Sequence, residues 1–345
     1  MKPKIALIVD VYDWAFYNRS VILKEKLKEY YDIDIIPADT ALENNMLQLI
    51  LLVQDYDLVH FFWRRILFNL SDDNYYFIRN ELSVQRLLKE KFSHVATTSC
   101  VPDHMLLDDE NKEQNLKALN WVDNYYVLSQ KLWNIYAGLN CQKPYGVIAG
   151  GVDLDKFKPQ NLERLKTIPN RNLIIGWSGN SKWGGKDNKE DVKGVQTILI
   201  PAVEELQKEG YPVELKLADK SKGMTAIDKM PDYYNTLDLY VCTSKTEGGP
   251  YPILEAMACG LPIISTDVGF VPEVLGEKEK EYILKERTIE ALKEKIKSLL
   301  QNPERLLELS NENLNSIKNF GYEEIIPKFK AFFDDTFKKK EAKNE

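Results

Sequence analysis

The pattern of apolar and polar positions alternates between two kinds of segment along the first half of the chain. Short apolar runs bounded by polar or turn-forming residues are typical of buried strands, and longer stretches with apolar residues three or four positions apart are typical of helices. The predicted strands of this half are Ile5–Val9, Ile33–Ile36, Leu58–Phe62, His94–Thr98 and Tyr125–Leu128. The predicted helices are Val21–Tyr30, Leu42–Val53, Tyr76–Lys91 and Gln130–Gly138. This alternation predicts a parallel sheet covered by helices.

A linker is predicted near Gly150-Gly151 and along the polar run Lys158–Asn172, where the alternation stops. It resumes with predicted strands Leu173–Trp177, Val213–Leu217, Leu239–Thr243 and Pro262–Ser265, and with predicted helices Val195–Glu209, Asp232–Leu237, Pro252–Cys259, Ile289–Leu300, Pro303–Asn319 and Tyr322–Lys339. We therefore predict the α/β class, with two Rossmann-like doubly wound parallel-sheet domains facing across a cleft. The length of 345 residues agrees, because single cores seldom grow beyond about 250–300 residues.

The formal net charge of −7 disfavours nucleic acid as a partner. No apolar stretch approaches the roughly 20 residues of a membrane helix, and Asp10 ends the first apolar run too early for a secretory signal. We therefore expect a cytoplasmic protein. The aromatic and basic segment Phe61–Arg65 has two interpretations, a solvated surface, which is favoured, and a contact with the inner face of an anionic membrane. The tail Lys338–Lys340 is interpreted as solvated surface.

Cysteine and histidine are too sparse and too scattered to predict a disulfide framework or a metal site. The four cysteines form no CxxC pair, so reduced thiols are expected. The three histidines, His60, His94 and His104, lack the spacing of metal ligands. We expect neither a metal ion nor another cofactor.

Candidate chemistry is concentrated between Leu239 and Pro262, where the sequence predicts a strand, a glycine-containing loop and a helix. Gly248 and Gly249 allow the backbone to approach a ligand closely and to adopt positive φ. Pro252 suits the first turn of a helix, and the N–H groups and dipole of that turn favour an anion such as a diphosphate.

Two carboxylates frame this loop, Glu247 at the end of the strand and Glu255 one turn into the helix. Both are expected to accept hydrogen bonds from hydroxyl groups, and Glu255 suits the vicinal diol of a ribose. Either residue alone is better explained as a cap or as surface. Together around Gly-Gly-Pro, they indicate a binding site.

The pair forms an E-x7-E pattern, and the surrounding sequence EGGPYPILEAMACGLPIISTDVG resembles the donor-binding segment of family-4 (group 1) retaining glycosyltransferases of the GT-B fold. Ile148–Phe157 is similar to the interdomain stretch of that family, Ile175–Gly179 to the start of its second domain, and Lys193-Gly194 to its Lys-Gly pair. The resemblance covers the C-terminal half. It implies an acceptor-side domain at 1–150, completed by a C-terminal helix at 322–345, and a donor-binding domain at 151–321.

The resemblance also implies residue roles. Lys193 would neutralise the donor diphosphate, Glu255 would hold the ribose hydroxyls, and Glu247 would contact the transferred sugar. The implied donor-binding set is Gly179, Asn180, Lys182, Lys193, Glu247, Gly248, Gly249, Pro250, Tyr251, Pro252 and Glu255. Because the loop after Gly179 is rich in lysine, the lysine that meets the phosphates stays open among Lys182, Lys186, Lys189 and Lys193.

In the first domain the family places a catalytic histidine after a central strand, and His104 is assigned to it, with Asp103 as a partner. His60 is the credible competitor, whereas His94 is interpreted as structural. The first loop of this chain departs from the paired glycines of the family and is aromatic and polar instead. Asp13, Trp14 and Tyr17, together with His60, are therefore assigned to the acceptor side.

The predicted function is transfer of a sugar from a nucleoside-diphosphate sugar to a hydroxyl of a glycan or lipid-linked glycan, in polysaccharide or glycoconjugate biosynthesis. Retention of configuration is what the resemblance implies, and Lys193 would replace a metal ion in stabilising the leaving group. The alternative is a non-catalytic sugar-nucleotide-binding subunit of a polysaccharide assembly. A dehydrogenase and a P-loop enzyme are excluded, because neither G-x-G-x-x-G after the first strand nor G-x-x-x-x-G-K-[ST] occurs.

Overall fold

The structure, a computed structural model, describes residues 1–38, 46–62, 64–72, 88, 90–108, 110–183, 190–223 and 225–344. The chain divides into two compact units. Unit 1 contains Met1–Ile148 and Ile326–Glu345, and unit 2 contains Ala149–Ile325. The predicted boundaries, after residues 150 and 321, lie close to these.

Unit 1 contains a parallel five-stranded sheet in the order β2-β1-β3-β4-β5. Its strands are β1 (Lys4–Val9), β2 (Asp32–Pro37), β3 (Leu58–Phe61), β4 (Ala96–Val101) and β5 (Asn124–Val127). Its first helices are α1 (Ala15–Leu27), α2 (Met46–Val53), α3 (Ile66–Leu70), α4 (Lys112–Trp121) and α5 (Gln130–Ala137). The inner strands are buried along almost their whole length, which explains the continuous apolar run of β1, whereas the equally buried β4 contains Thr97, Thr98 and Ser99.

Two helices of unit 1 were not predicted, and one prediction lies mostly outside the described residues. Helix α4 is polar on most sides and buries only Asn115, Ala118 and Leu119, so its periodicity is weak. Helix α3 is a single short turn of five residues. The predicted helix Tyr76–Lys91 falls largely on residues that the structure does not describe.

The last helix, α12 (Tyr322–Asn344), begins in unit 2 and continues into the core of unit 1. Phe329, Phe332 and Phe333 on this helix are fully buried. The basic tail is not a solvated surface throughout, because Lys339 Nζ donates to the Asp123 carbonyl at 2.7 Å and Lys340 lies 3.4 Å from the Asp123 carboxylate. These contacts could not be predicted from the sequence, because Asp123 is more than two hundred positions from the tail.

Unit 2 contains a second parallel five-stranded sheet, in the order β10-β9-β8-β6-β7. Its strands are β6 (Leu173–Gly179), β7 (Val213–Asp219), β8 (Leu239–Cys242), β9 (Ile263–Thr266) and the unpredicted two-residue β10 (Ile283–Leu284). Its helices are α6 (Ile200–Lys208, preceded by a π-helical turn, Val195–Leu199), α7 (Met230–Asn235), α8 (Tyr251–Ala258), α9 (Val271–Val274), α10 (Ile289–Gln301) and α11 (Glu304–Ser316). The predicted α/β class is confirmed.

Glu279 is a fully buried carboxylic acid in unit 2. One carboxylate oxygen accepts the N–H of Ile263, and Oε2 has no partner within the described residues. Burial raises the pKa of Glu279 well above its usual value, although the Ile263 N–H, Asn313 and Arg305 oppose the rise, and Glu312 adds to it. The folded protein therefore favours the neutral, protonated form of Glu279.

Replacing Glu279 by glutamine is expected to stabilise the protein at alkaline pH, because glutamine supplies the acceptor without a charge. A raised folded-state pKa means that the wild type is relatively stable below the unfolded pKa and loses stability as pH rises above it. The two proteins should therefore melt at similar temperatures near pH 4.5, with the variant melting higher at pH 8 in thermal denaturation. A variant that is less stable at both pH values would contradict this account.

Candidate functional site

Glu247 and Lys193 form an ion pair in unit 2. Glu247 lies on the loop that follows β8, and Lys193 lies on the loop that precedes the π-helical turn. The Lys193 Nζ to Glu247 Oε1 distance is 2.6 Å, and the same oxygen accepts the Ser244 hydroxyl at 2.6 Å. The side chains of Lys193 and Glu247 are only 14% and 16% exposed. Two residues 54 positions apart in sequence, predicted to share a ligand, are therefore in direct contact.

The Lys193 loop is held by the residues around it. Gly194 has φ +70°, and a Cβ there would lie 2.4 Å from the Thr243 carbonyl, so glycine is required for this close packing. Arg287 donates to the carbonyls of Thr243 and Asp191, at 2.7 Å each. The Asp191 carboxylate accepts N–H groups at the start of the following helix, such as that of Thr197 at 2.8 Å. An anion is thus already supplied to that helix start by the protein.

The loop between β8 and α8 presents backbone donors that a ligand could use. In the described part of the chain, the N–H groups of Gly248 and Gly249 have no hydrogen-bond acceptor. The N–H of Tyr251 donates to the Gly249 carbonyl at 2.9 Å, and Pro252 has no N–H. The N–H groups that can bind a ligand therefore belong to the loop rather than to the first turn of α8. This corrects the prediction that the N–H groups of that first turn bind an anion. Gly248 and Gly249 are also absent from the glycines with positive φ.

Glu255 lies in the first turns of α8 and is partly buried. Its Oε2 accepts the hydroxyl of the fully buried Tyr234 at 2.7 Å, and that hydroxyl also lies 2.9 Å from Ser178 Oγ. Burial raises the pKa of Glu255 to about 7, although the Tyr234 hydrogen bond and the charges of Lys156 and Lys220 oppose the rise. The carboxyl therefore changes its hydrogen-bonding capacity within the physiological pH range.

Donor binding that uses Glu255 as an acceptor of two hydroxyls is expected to weaken as pH falls through 7. The carboxyl is mostly ionised at pH 8 and mostly protonated at pH 6, so the dissociation constant of a nucleotide sugar should rise about tenfold between them. A nucleotide sugar is suitable because its diphosphate, esterified at both ends, does not titrate in this range. Calorimetric titration of wild type and E255Q checks this. The variant should bind weakly and without this pH dependence, and an unchanged wild-type affinity would contradict the role.

The loop after β6 is fastened to the end of β7. Gly179 has φ +151°, and Asn180 accepts the Lys182 N–H at 3.1 Å through its side chain. The Ser181 hydroxyl donates to the buried Asp219 carboxylate at 2.7 Å. Burial of Asp219 opposes ionisation, but hydrogen bonds from Ser181 and Ser221 hold its pKa below the usual value. Lys182 is exposed, and the alternatives Lys186 and Lys189 lie outside the described residues.

In unit 1, His104 is exposed and precedes a short 3-10 turn after β4. Asp103 does not pair with it, contrary to the prediction. Its carboxylate accepts from Arg64 Nη2 at 3.0 Å and from the Met105 N–H at 3.0 Å, and its carbonyl accepts the Tyr136 hydroxyl at 3.2 Å. These bonds fix the backbone next to His104.

Arg64 is only 5% exposed, and Phe61 and Phe62 are buried as well. The segment Phe61–Arg65 was interpreted as a solvated surface or a membrane contact, and neither interpretation fits these three buried residues. Arg65 is exposed, and Trp63 lies outside the described residues. Among the described helices, none combines the length and the apolar character that crossing a bilayer requires.

His60 is fully buried, and the structure does not place it where an acceptor could reach it. Its Nδ1 lies 2.9 Å from Thr98 Oγ1, and aromatic rings, including Phe62 and Tyr126, pack against it. Burial and the nearby charge of Arg19 lower the pKa of His60 to about 3, so it stays neutral. His94 Nε2 lies 2.9 Å from the Gln54 carbonyl, which agrees with its structural interpretation.

Of the remaining acceptor-side candidates, Asp13 and Trp14 lie on the loop after β1, and Tyr17 lies in the first turn of α1. Asp13 has φ +58°, which is rare for a residue other than glycine, and it is exposed. Trp14 is 47% exposed and precedes α1, while Tyr17 makes an edge-to-face contact with Tyr12 at a centroid distance of 5.1 Å. The loop thus presents aromatic surface and a carboxylate to solvent.

Several residues around the site were missed by the sequence interpretation. Ser244 and Asp191 could have been suspected, because their partners Glu247 and Thr197 lie close in sequence. By contrast, Asp219, Tyr234 and Arg287 act through contacts with distant segments. In the described ranges, no group of three or more His, Cys, Asp or Glu residues is arranged to hold a metal ion.

Comparison with known proteins agrees with the location of the motif. The family model "Glycosyl transferases group 1" matches residues 160–316, which lie in unit 2. The mannosyltransferase LpsB of lipopolysaccharide core biosynthesis from Rhizobium meliloti is 31% identical over 121 residues, 34% of each chain. An uncharacterised glycosyltransferase from Haemophilus influenzae is 29% identical over 34% of this chain. The alignments span about a third of the length of these two relatives.

Solved structures resemble the chain over almost its whole length. Sucrose-phosphate synthase from Thermosynechococcus elongatus superimposes with a TM-score of 0.70 at 15% identity, over 97% of this chain and 99% of that one. Anabaena HepE in complex with UDP and glucose gives a TM-score of 0.69 at 13% identity, over 96% and 99%. The chain therefore has the GT-B fold, and its residues 160–316 are similar to the group 1 glycosyl transferases.

Proposed function

We propose that the protein is a glycosyltransferase that moves a sugar from a nucleoside-diphosphate sugar to a hydroxyl acceptor. The observation that carries this proposal is a set of groups in unit 2. The Lys193 ammonium contacts the Glu247 carboxylate, the loop after β8 presents the N–H groups of Gly248 and Gly249, and Glu255 lies in the first turns of the helix that follows this loop. The match of residues 160–316 to the group 1 family supports the same activity.

The difficulty of the reaction is the negative charge that builds on the diphosphate as its bond to the anomeric carbon breaks. We propose that Lys193, helped by the N–H groups of Gly248 and Gly249, stabilises this charge by preorganised electrostatics and without a divalent ion. Glu255 would bind the ribose hydroxyls. Glu247, whose Oε1 is engaged by Lys193 and Ser244, would accept a hydroxyl of the transferred sugar.

For the acceptor, the proposal assigns residues of unit 1. The exposed Asp13 and Trp14 on the loop after β1, with the partly exposed Tyr17 in the first turn of α1, suit a carbohydrate, and His104 is proposed to contact the reacting sugar. The relative named for lipopolysaccharide core biosynthesis supports a glycan or lipid-linked glycan as the acceptor. Retention of configuration and a cytoplasmic location are further parts of the proposal. Retention follows the family resemblance, by way of an oxocarbenium-like transition state.

A thermal-shift screen against UDP-, GDP-, ADP- and CMP-sugars tests the proposal. A ligand at about one hundred times its dissociation constant stabilises the folded protein by about 2.7 kcal/mol, so one donor class should raise the melting temperature clearly. Release of the free nucleotide with acceptor present would then show transfer. Stabilisation by none of the four classes would overturn the proposal, and binding without turnover over a panel of glycan acceptors would favour a non-catalytic sugar-nucleotide-binding subunit.

A further inference from the structure

Trp183 lies against the ammonium group of Lys193 on the side of the loop after β6. The Lys193 Nζ is 4.6 Å from the centre of the Trp183 ring system, and it also contacts Glu247 Oε1 at 2.6 Å. This distance is within the range of a cation–π interaction, which is strongest with tryptophan. The ammonium is therefore held by an aromatic face in addition to a carboxylate.

A bound diphosphate would affect the contacts of Lys193 with Glu247 and with Trp183 differently. A phosphate oxygen competes directly with Glu247 for the N–H groups of Lys193, because both are anionic acceptors. The indole ring competes with neither anion, because its face attracts the cation and offers no hydrogen-bond acceptor. A lysine that leaves Glu247 for a phosphate would thus keep its contact with Trp183.

The backbone around Trp183 supports a fixed rather than an incidental position. The Trp183 N–H donates to the Asn180 carbonyl at 3.1 Å, and the preceding Ser181 is bonded to the buried Asp219. Trp183 is nevertheless 38% exposed, so it does not belong to the hydrophobic core of unit 2. An exposed indole held in a turn over an ammonium suits a positioning role better than a role in folding.

We propose that Trp183 is a positioning residue that holds the ammonium of Lys193 in place while its anionic partner changes from Glu247 to the diphosphate of the donor. This inference rests on the proposed function, because it assigns the diphosphate as the ligand of Lys193. It also predicts that Trp183 affects the phosphate-dependent part of binding and leaves the nucleoside part unchanged.

The test compares W183A, W183F and wild type in titrations with UDP and with uridine, or with the corresponding pair for the base that the donor screen selects. The W183A variant should bind the diphosphate about three- to tenfold more weakly, the size expected from losing one cation–π contact. W183F retains an aromatic face and should stay within about twofold of wild type. Uridine affinity should be the same in all three proteins. Ile227→Ala, which removes another exposed large apolar side chain of unit 2, is the matched control.

Two further measurements separate positioning from a general structural effect. In the K193A background, W183A should cause no additional loss of diphosphate affinity, because two residues that act through one contact are not additive. The tryptophan emission of wild type, but not of W183F, should contain a component that changes when the diphosphate binds.

The outcomes that overturn the inference are distinct from those that overturn the proposed function. Unchanged diphosphate affinity in W183A, with binding intact in wild type, would overturn this inference alone. Equal losses for uridine and the diphosphate would also overturn it, because Trp183 would then contact the nucleoside itself. An absence of binding by wild type to any nucleoside diphosphate would overturn both.

Discussion

Replacing Lys193 by alanine is expected to lower turnover by about 10²–10³-fold, the usual cost of removing a preorganised group that stabilises developing charge. The structure gives two reasons for a large effect. Lys193 is mostly buried, so water cannot easily replace its charge, and it is the partner of Glu247 at 2.6 Å. Its removal would leave that carboxylate uncompensated beside the position proposed for an anionic ligand, which adds repulsion to the lost attraction.

Lys245→Ala is the matched control for this experiment. Lys245 lies two residues before Glu247, but it is exposed and pairs with Glu190 at the surface, so its loss should leave turnover close to that of wild type. Steady-state rates of nucleotide release, with acceptor present, compare the variants. If K193A kept near-normal turnover, the charge-stabilising role would move to another lysine of the loop after Gly179.

The K193A/E247Q double variant tests whether repulsion contributes. Because glutamine removes the negative charge and keeps an acceptor, the double variant should bind the nucleoside diphosphate more tightly than K193A. Equal binding would show that Glu247 exerts little repulsion on the ligand.

The sequence predicts the sheets of this protein better than it predicts the contacts of the site. Strands such as β1 and β6 were predicted within a residue or two because buried parallel strands are continuous apolar runs. The predictions failed where periodicity is weak, as in the polar helix α4, and where a strand has only two residues, as in β10.

The E-x7-E pattern was readable because its two glutamates are local in sequence. The partners of those glutamates were harder to predict from the sequence. The resemblance assigns Lys193 and Glu247 to one ligand but does not predict that they contact each other. The contact between Glu255 and Tyr234 depends on which helix packs beside α8. The error about Arg64 has the same origin. A pair of arginines behind aromatic residues predicts a basic surface, unless a carboxylate 39 residues later in the chain is brought against one of them.

Replacing Arg64 by alanine is expected to destabilise the protein by about 3–5 kcal/mol, the range found when one partner of a buried ion pair is removed. The guanidinium donates to Asp103 at 3.0 Å and to Asn115 and Tyr136 at 3.3 Å each, so its loss leaves three buried or partly buried polar groups without this donor. Burial by itself would lower the pKa of Arg64, but Asp103 and Tyr136 raise it above its usual value. The guanidinium therefore keeps its charge in the folded protein.

Arg65→Ala is a close control, because Arg65 is the adjacent residue, has the same side chain and is exposed. Its loss should change the free energy of unfolding by no more than about 0.5 kcal/mol. Chemical denaturation of both variants measures the difference. R64A within 1 kcal/mol of wild type would show that water reaches Asp103 in the folded state and that the ion pair contributes little.

The D103N variant then separates the charge of Asp103 from its geometry. Asparagine keeps an oxygen that can accept from both Arg64 and the Met105 N–H, so the turn before His104 should remain formed while the buried guanidinium loses its counter-charge. We expect D103N to be destabilised but to keep the donor affinity of wild type, because all the residues proposed to bind the donor lie in unit 2. If His104 contacts the reacting sugar, loosening of its turn in R64A should lower turnover more than D103N does. Equal turnover in the two variants, measured below their melting temperatures, would separate the Arg64 network from catalysis and leave it a role in stability alone.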